Sequence, residues 1–495
     1  TLAVYDATGK EVAYADDYRF HPDPVLLFEV PATGEYELEV HDSIYRGRED
    51  FVYRIRVGET PFVTEMFPLG GKAGTPVTSS IGGWNLTEGQ LALDTSPEGP
   101  AVRQAEWTSG GLRSNAVTYA VGTLPECVEL EPNNVAAEAQ EVEFPVVVNG
   151  RISEPGDADV YRFEGRAGQE IVAEVLARRL GSPLDSLLRV TDASGSVIAW
   201  NDDCEDAESG LLTHHADAYV RATLPADGPY HVTLTDAQGQ GGPAHAYRLR
   251  LSAPQPDFAL RVTPSAVLTP TGYAAPFTVH AIRKDGFAGD MAVSLVGGPA
   301  GFVLDGGVIP ADRDSIRMTL TAPPQPLGGP VALFVEGRAE IAGAVVAHEA
   351  EPAEYMMQAF AWMHLVPVEE FLGATVGRPS TAAAPALASE TPVRIPAGGE
   401  AQVRVALPGR GAVPGADLEL DEPPPGISLG DVRGGTDEVT FTLRADAASP
   451  PVGYRDNLIV NGYMTVRQRA RDGEAGAGRR VRVCVLPAIP IEITG

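Results

Sequence analysis

Apolar and polar residues alternate with a period of two over many short stretches of this chain. Tyr36, Leu38 and Val40 alternate with Glu37 and Glu39, and Tyr230, Val232 and Leu234 with His231 and Thr233. Tyr53, Ile55 and Val57 alternate with Arg54 and Arg56. Successive side chains of a strand point to opposite faces, so this period predicts antiparallel strands half-buried against a second sheet. Turn signals separate the stretches: Ala7-Thr8-Gly9, Ala32-Thr33-Gly34, Ala193-Ser194-Gly195 and Asp227-Gly228. The sequence AEYMMQAFAWMHLV fits either period. Met356, Phe360 and Met363 share a helix face, whereas Met357, Ala359, Ala361 and Met363 share a strand face. Its β surroundings favour strand.

The pattern recurs. LAVYDATGKEVAYADD (Leu2 to Asp17) answers LRVTDASGSVIAWNDD (Leu188 to Asp203), with eight of sixteen positions identical. VPATGEYELEV, from Val30, answers LPADGPYHVTL, from Leu224, and YRIRV from Tyr53 answers YRLRL from Tyr247. The second copy continues upstream to about Cys127 through GRISEPGDADVYRF and QEIVAEVLA, and it carries an acidic insertion from Cys204 to Ser209. Residues 1–58 therefore read as the C-terminal half of a domain, and the natural protein is expected to extend further toward its N-terminus. A second, weaker repeat at a spacing near 125 residues matches TPTGYAAPFTVHAIR with IPAGGEAQVRVALP, PAGFVL with PPGISL, and DSIRMTLTA with DEVTFTLRA.

These matches predict an all-β chain of tandem β-sandwich domains. Residues 1–58 are a truncated half-sandwich, 59–126 a small immunoglobulin-like β unit, and 127–253 a complete sandwich. Residues 254–372 and 393–495 are immunoglobulin-like, with an Ala/Pro/Ser/Thr-rich linker or mobile loop at 373–392. The 54 Gly and 42 Pro support this reading, because they break helices and supply turns.

Charge narrows the function. Lys plus Arg number 37 against 67 Asp plus Glu, a formal net charge of −30. Such a field repels phosphate backbones and anionic membranes, which argues against nucleic-acid binding and suits solubility, divalent cations or basic partners. No run of about 18 apolar residues is present, so no membrane span is expected. Cys127, Cys204 and Cys484 are too few for a disulfide scaffold, and whether Cys127 and Cys204 pair is left open by spacing alone.

Residues 127–253 resemble the bacterial pre-peptidase C-terminal domain, related to the collagen-binding domains of clostridial collagenases. EPNN (Glu131 to Asn134), GDADVYRF (Gly156 to Phe163), SPLDSLLRV (Ser182 to Val190), NDD (Asn201 to Asp203) and LPADGPYHVTL carry the resemblance. Residues 1–58 resemble the latter half of the same domain. The wider layout is similar to large exported proteins of planctomycete-type bacteria, in which such domains alternate with immunoglobulin-like ones. The resemblance implies an eight- or nine-stranded sandwich that sits beside a catalytic unit and assists secretion or substrate attachment.

The acidic segment at the start of that domain is the sharpest candidate site. Ca²⁺ takes six to eight oxygens from carboxylates, amides and carbonyls. Glu129, Glu131, Asn133 and Asn134 offer four oxygen-bearing side chains within six residues, and Asp157 and Asp159 of the GDAD turn can close the shell. The family builds a calcium site from the matching segments; Asn134 stands where many relatives carry Asp, which lowers the ligand charge. The plain alternative is that Asn133 caps the short VAAEAQ turn while the acids are solvated. A second acidic run, Asn201-Asp202-Asp203 with Glu205, Asp206 and Glu208, is better read as a hairpin held by an Asx-turn, since the first copy keeps only Asp16-Asp17.

Catalytic motifs are missing. There is no GxSxG elbow, HExxH, P-loop or GxGxxG; His348-Glu349 lacks the second His, and His214-His215 would point to opposite strand faces. A glycosidase acid pair needs no sequence proximity, but nothing singles one out. Trp84, Trp107, Trp200 and Trp362 can form a glycan platform, although core packing is the commoner use of Trp.

The expectation is a non-catalytic, calcium-stabilised binding or scaffold protein, bacterial and secreted or held in the cell envelope. Its partner would be a protein or polysaccharide surface, with self-assembly open. The accessory region of a larger secreted hydrolase and a surface-layer or filament subunit are the alternatives.

Overall fold

The structure, a computed structural model, describes every residue except 50, 88, 205–209, 211–215, 359–361, 381, 408–416, 436 and 470–474. Contacts divide the chain into two units, Thr1–Gln255 and Pro256–Gly495. The chain is all-β: among the described residues the one helical element is a single 3₁₀ turn, Arg178–Leu180.

The first unit opens with β1 (Leu2–Asp6), β2 (Glu11–Ala15) and β3 (Tyr36–Val40), in sheet order β2-β1-β3. The turn between β1 and β2 is set by Asp6, whose Oδ1 accepts the backbone N–H groups of Thr8 and Lys10. That is the Asx-turn chemistry which makes Asp a turn former. YRIRV at 53–57 is expected as a strand but is not one: Tyr53 is 74% and Val57 79% exposed. The matching strand of the second copy hydrogen-bonds to two neighbours of an opposing sheet, and no such neighbours lie beside 53–57 among the described residues.

Next come β4 (Phe62–Phe67), β5 (Gly70–Lys72), β6 (Val77–Trp84), β7 (Gln90–Leu93), β8 (Val102–Ser109) and β9 (Leu112–Gly122). They form two three-stranded sheets, β4-β6-β7 and β5-β9-β8, around Val63, Met66, Ile81, Trp107 and Tyr119.

The third part is a sandwich of two five-stranded sheets. Its strands are β10 (Glu126–Val128), β11 (Gln140–Glu141), β12 (Val146–Arg151), β13 (Ala158–Gly165) and β14 (Glu170–Leu176). β15 (Ser186–Asp192), β16 (Val197–Asn201), β17 (Tyr219–Thr223), β18 (Gly228–Asp236) and β19 (Ala246–Ser252) complete it. The sheets run β10-β12-β19-β14-β17 and β11-β13-β18-β15-β16. Period-two alternation sends Val146, Val148, Ile171, Val175 and Leu249 from one sheet toward Tyr161, Phe163, Leu188, Val232 and Leu234 of the other, closing one dry core.

The second unit holds two sandwich cores. Phe258, Leu260, Phe277, Met318 and Phe371 lie in the first, and Ile395, Val403, Phe441, Leu458 and Ile491 in the second. The described parts of AEYMMQAFAWMHLV are β: Glu351–Gln358 pairs antiparallel with Trp362–Pro367, setting Met357 opposite Met363. Phe360, Ala359 and Ala361 lie outside the described residues. Within 373–392, the first residues belong to strand Phe371–Val376 and Ala386–Leu387 forms an edge strand, so sheets reach into both ends of this Ala/Pro-rich stretch.

No disulfide joins Cys127, Cys204 or Cys484. Burial and the neighbouring Glu126 push the Cys127 thiol up, away from the reactive thiolate. No helix among the described residues is long and apolar enough to cross a membrane.

Candidate metal centre

Two segments meet at one end of the sandwich. The chain after β10 carries Glu129, Glu131 and Asn133, and it is pinned by backbone bonds to its neighbours. Glu129 N–H donates to Asn149 O at 3.0 Å, and Asn133 O accepts Val160 N–H at 2.9 Å. β13 carries Asp159, whose side chain faces inward because its sequence neighbours Ala158 and Val160 take the alternate face. The result is that carboxylate oxygens of Glu129, Glu131 and Asp159 all lie within 4.8 Å of one another.

Little neutralises this cluster. Among the described residues no Lys or Arg side chain pairs with any of the three. Asp159 is fully buried, and its Oδ1 has no hydrogen-bond partner; the same is true of Asn133 Oδ1. Burial, reinforced by hydrogen bonding to and repulsion from Glu129, pushes the Asp159 carboxyl up to about 10, against the opposing bond from Tyr247. Burial and the charges of Asp157, Glu129 and Glu154 push Glu131 up as well. Crowding carboxylates of one sign around the buried Asp159 is costly until a cation joins them.

The remaining contacts orient the group. Glu129 Oε2 accepts Arg151 N–H at 2.8 Å, and Glu129 Oε1 accepts Asn133 Nδ2 at 3.3 Å. Glu131 Oε2 accepts Asn133 N–H at 3.1 Å. Two tyrosines that the sequence reading passed over complete the shell. Tyr247 OH donates to Asp159 Oδ2 and sits beside Tyr161 OH, which reaches Glu129 Oε1 at 3.4 Å. Burial and the adjacent acids hold both phenols well above their usual range, so they remain donors. Tyr161 follows Asp159 by two residues, and that same-face spacing is the signal that marks it.

Of the six residues expected at the site, the structure brings Glu129, Glu131, Asn133 and Asp159 together. Asp157 is engaged elsewhere: its carboxylate accepts Ser153 N–H at 2.7 Å and Ala158 N–H at 2.9 Å, closing its own turn. Asn134, with its amide turned to suit its neighbours, donates to Ala158 O and Asp157 Oδ1, each at 3.2 Å. These two residues lock the GDAD turn onto the 131–134 turn. Glu129, Glu131, Asn133 and Asp159 offer the all-oxygen donor set that a hard divalent cation takes, with two unpartnered buried oxygens among them. A cation there would tie the segment after β10 to β13.

The other candidates fare differently. Asn201 Nδ2 donates to Asp203 O at 2.7 Å and its Oδ1 accepts Tyr219 N–H at 2.9 Å, a hairpin-holding role. Glu205, Asp206, Glu208, His214 and His215 lie outside the described residues. His348 bonds to Asp257 at 2.7 Å. Trp107 is core, but Trp200 is 60% exposed and its counterpart Tyr14 51%, so both present their rings outward rather than packing inside.

No family model matches the chain. A probable subtilase-type serine protease of Deinococcus radiodurans is 33% identical over 142 residues, 26% of this chain and 18% of that protein. The chain thus spans less than a fifth of the length of that relative, and nothing among the comparisons points to a planctomycete-type source. The pre-peptidase C-terminal domain of a Bacillus anthracis collagenase is matched over its whole length and 25% of this chain, at 14% identity and a TM-score of 0.19. The N-terminal eight immunoglobulin domains of Down syndrome cell adhesion molecule match with 10% identity and a TM-score of 0.15, over 68% of that structure and 100% of this chain. Over about a quarter of its length, then, this tandem β-sandwich chain is similar to part of a probable subtilase-type serine protease.

Proposed function

We propose that this chain is a non-catalytic accessory region of a larger exported hydrolase, of the subtilase-type protease class, and that calcium stiffens its 127–253 sandwich. The observation that carries the reading is the 33% identity to a stretch making up 18% of a probable protease. A segment so small a part of a protease, here built of β-sandwiches without a recognisable nucleophile motif, suits attachment or secretion rather than bond cleavage. Glu129, Glu131, Asn133 and Asp159 would hold the ion, which supplies the positive charge that this set of oxygens, from the buried Asp159 to the exposed Glu131, lacks. Tyr161 and Tyr247 would orient the carboxylates from behind. Extracytoplasmic placement follows from the same reading, because millimolar calcium is found outside the cell.

A stand-alone surface scaffold and a surface-layer or filament subunit gain no support from the comparisons. The flanking sequence of the same polypeptide separates the readings: a protease signature there favours the accessory region, and further sandwiches favour the scaffold. The calcium part is tested by calorimetric melting of the full chain in millimolar Ca²⁺ and in EGTA. One transition should rise with calcium, and the rise should vanish in a Glu131→Ala/Asp159→Ala variant. Superimposable wild-type traces would remove the metal from the account.

A further inference from the structure

A cleft of about 640 Å³ lies between the two sandwiches of the second unit. Its walls are tied together. Arg455 clasps Asp290 through two bonds of 2.6 and 2.7 Å, and Asn457 Nδ2 donates to Gly306 O and Arg317 O at 2.8 and 2.9 Å. Ala488 N–H donates to Thr319 Oγ1 at 2.8 Å, and Ala274, Ile459, Val485 and Ala488 bury one another beside it. Paired bonds and a small apolar seam of this kind preform a pocket instead of leaving it to close on a ligand.

Three ionisable side chains line the cleft, and two are already satisfied. The Arg455 guanidinium is spent on Asp290, while Asp456 accepts Tyr454 OH at 2.7 Å and Asn457 N–H at 2.8 Å. Asp305 is the exception: its Oδ2 is buried with no hydrogen-bond partner, and burial pushes its carboxyl up to about 6. The turn after it is closely packed: Gly306 has a φ of +85°, and a Cβ there would stand 2.3 Å from Asn457 Nδ2. The rest of the lining is largely apolar and includes Leu304, Val308, Ile316 and Leu387. Strands Val303–Asp305, Val308–Ile309 and Ala386–Leu387 each stand at the edge of their sheet, where an extended chain can add.

We propose that this cleft binds the basic side chain of an extended peptide, with its cationic head on Asp305 and its methylene stem along Leu304, Val308, Ile316 and Leu387. With Arg455 and Asp456 held by their own partners, the unpaired Asp305 carboxylate in this largely apolar cleft discriminates for a cation, because a neutral or acidic ligand leaves it unpaired. The overall charge of −30 steers such a peptide toward the chain.

The test uses the full chain and a labelled peptide, acetyl-Ala-Ala-Lys-Ala-Ala-amide, followed by fluorescence anisotropy. Its Nε-acetyl-lysine form and Asp305→Asn and Asp305→Leu chains are run beside it. Binding should weaken at least about tenfold on lysine acetylation and by a similar factor in both variants. The melting midpoint of Asp305→Asn should stay level or rise, since a buried charge is removed. Equal affinity of the variants and the parent chain would assign the binding to general attraction by the acidic surface and overturn the proposal. So would an Asp305→Asn chain that melts earlier, which would make the carboxylate a structural group.

Discussion

Residues 1–58 and the second half of the 127–253 sandwich carry one sequence pattern in two surroundings. β1 pairs with β2 as Leu2↔Ala15, Ala3↔Tyr14 and Val4↔Ala13, and β15 with β16 as Leu188↔Asn201, Arg189↔Trp200 and Val190↔Ala199. Both ladders slip at the next residue, after Val4 and after Val190. β3 and β18 add to the other side in the same register, Asp6↔Tyr36 and Asp192↔Tyr230. Even the polar details coincide: Tyr36 OH donates to Ala32 O at 2.9 Å, and Tyr230 OH to Ala226 O at 2.8 Å. Burial does not coincide. Val232 is fully buried against the opposing sheet, whereas Leu38, at the equivalent position, is 40% exposed. Strand, turn and bulge are thus local properties of the segment, while the core is a property of two sheets meeting.

The largest expected contrast follows from that difference. Val232→Ala should cost about 2–3 kcal/mol in chemical denaturation of the first unit, and Leu38→Ala less than about 1 kcal/mol, because only the former opens a cavity. Comparable losses would mean that the first copy is covered as thoroughly as the second. The acidic centre gives an effect that changes sign. Asp159→Asn should raise stability in EGTA by about 1–3 kcal/mol, because the buried carboxyl must hold at neutral pH a proton that the unfolded chain gives up, yet abolish the gain from calcium. A loss in EGTA would show that the carboxylate is adequately satisfied without a cation. Smaller still, Tyr230→Phe should cost about 1 kcal/mol, with Tyr36→Phe below it because that hydroxyl bond is exposed to water.

The smallest effect tests the sameness of the copies. Bonds from the Thr8 hydroxyl and the backbone hold Asp6 below its ordinary 3.8, and the Ser194 hydroxyl and Ser196 N–H do so for Asp192. A depressed folded-state value means these bonds support the turn above pH 3.8 and are lost as pH falls through the lower, folded value. Amide exchange at Thr8 and Ser194 should therefore quicken together in that acid window, after correction for the intrinsic rate. Divergence would show that the two turns rest on different groups.

What was legible in the sequence follows the same division. The Leu2–Asp17 and Leu188–Asp203 match exposed strands, turn and register, because period two and Asx chemistry act over a few residues. YRIRV at 53–57 misled, since alternation says a segment can be a strand but not that neighbours are there to hydrogen-bond with it. The acidic centre was half legible. Glu129, Glu131 and Asn133 are close in sequence and Asp159 stands at the start of the strand after a marked turn, but Asp157 has the same chemistry and is used up by Ser153 and Ala158 N–H groups. Tyr247 reaches the site from a strand 88 residues beyond Asp159, a proximity that only the sandwich creates.

The direct measurement is a calorimetric calcium titration of the full, EGTA-stripped chain beside its Glu129→Gln/Asp159→Asn variant. The account predicts a saturable site in the parent chain that is absent from the variant. Binding of equal strength in both, or none in the parent, would contradict it.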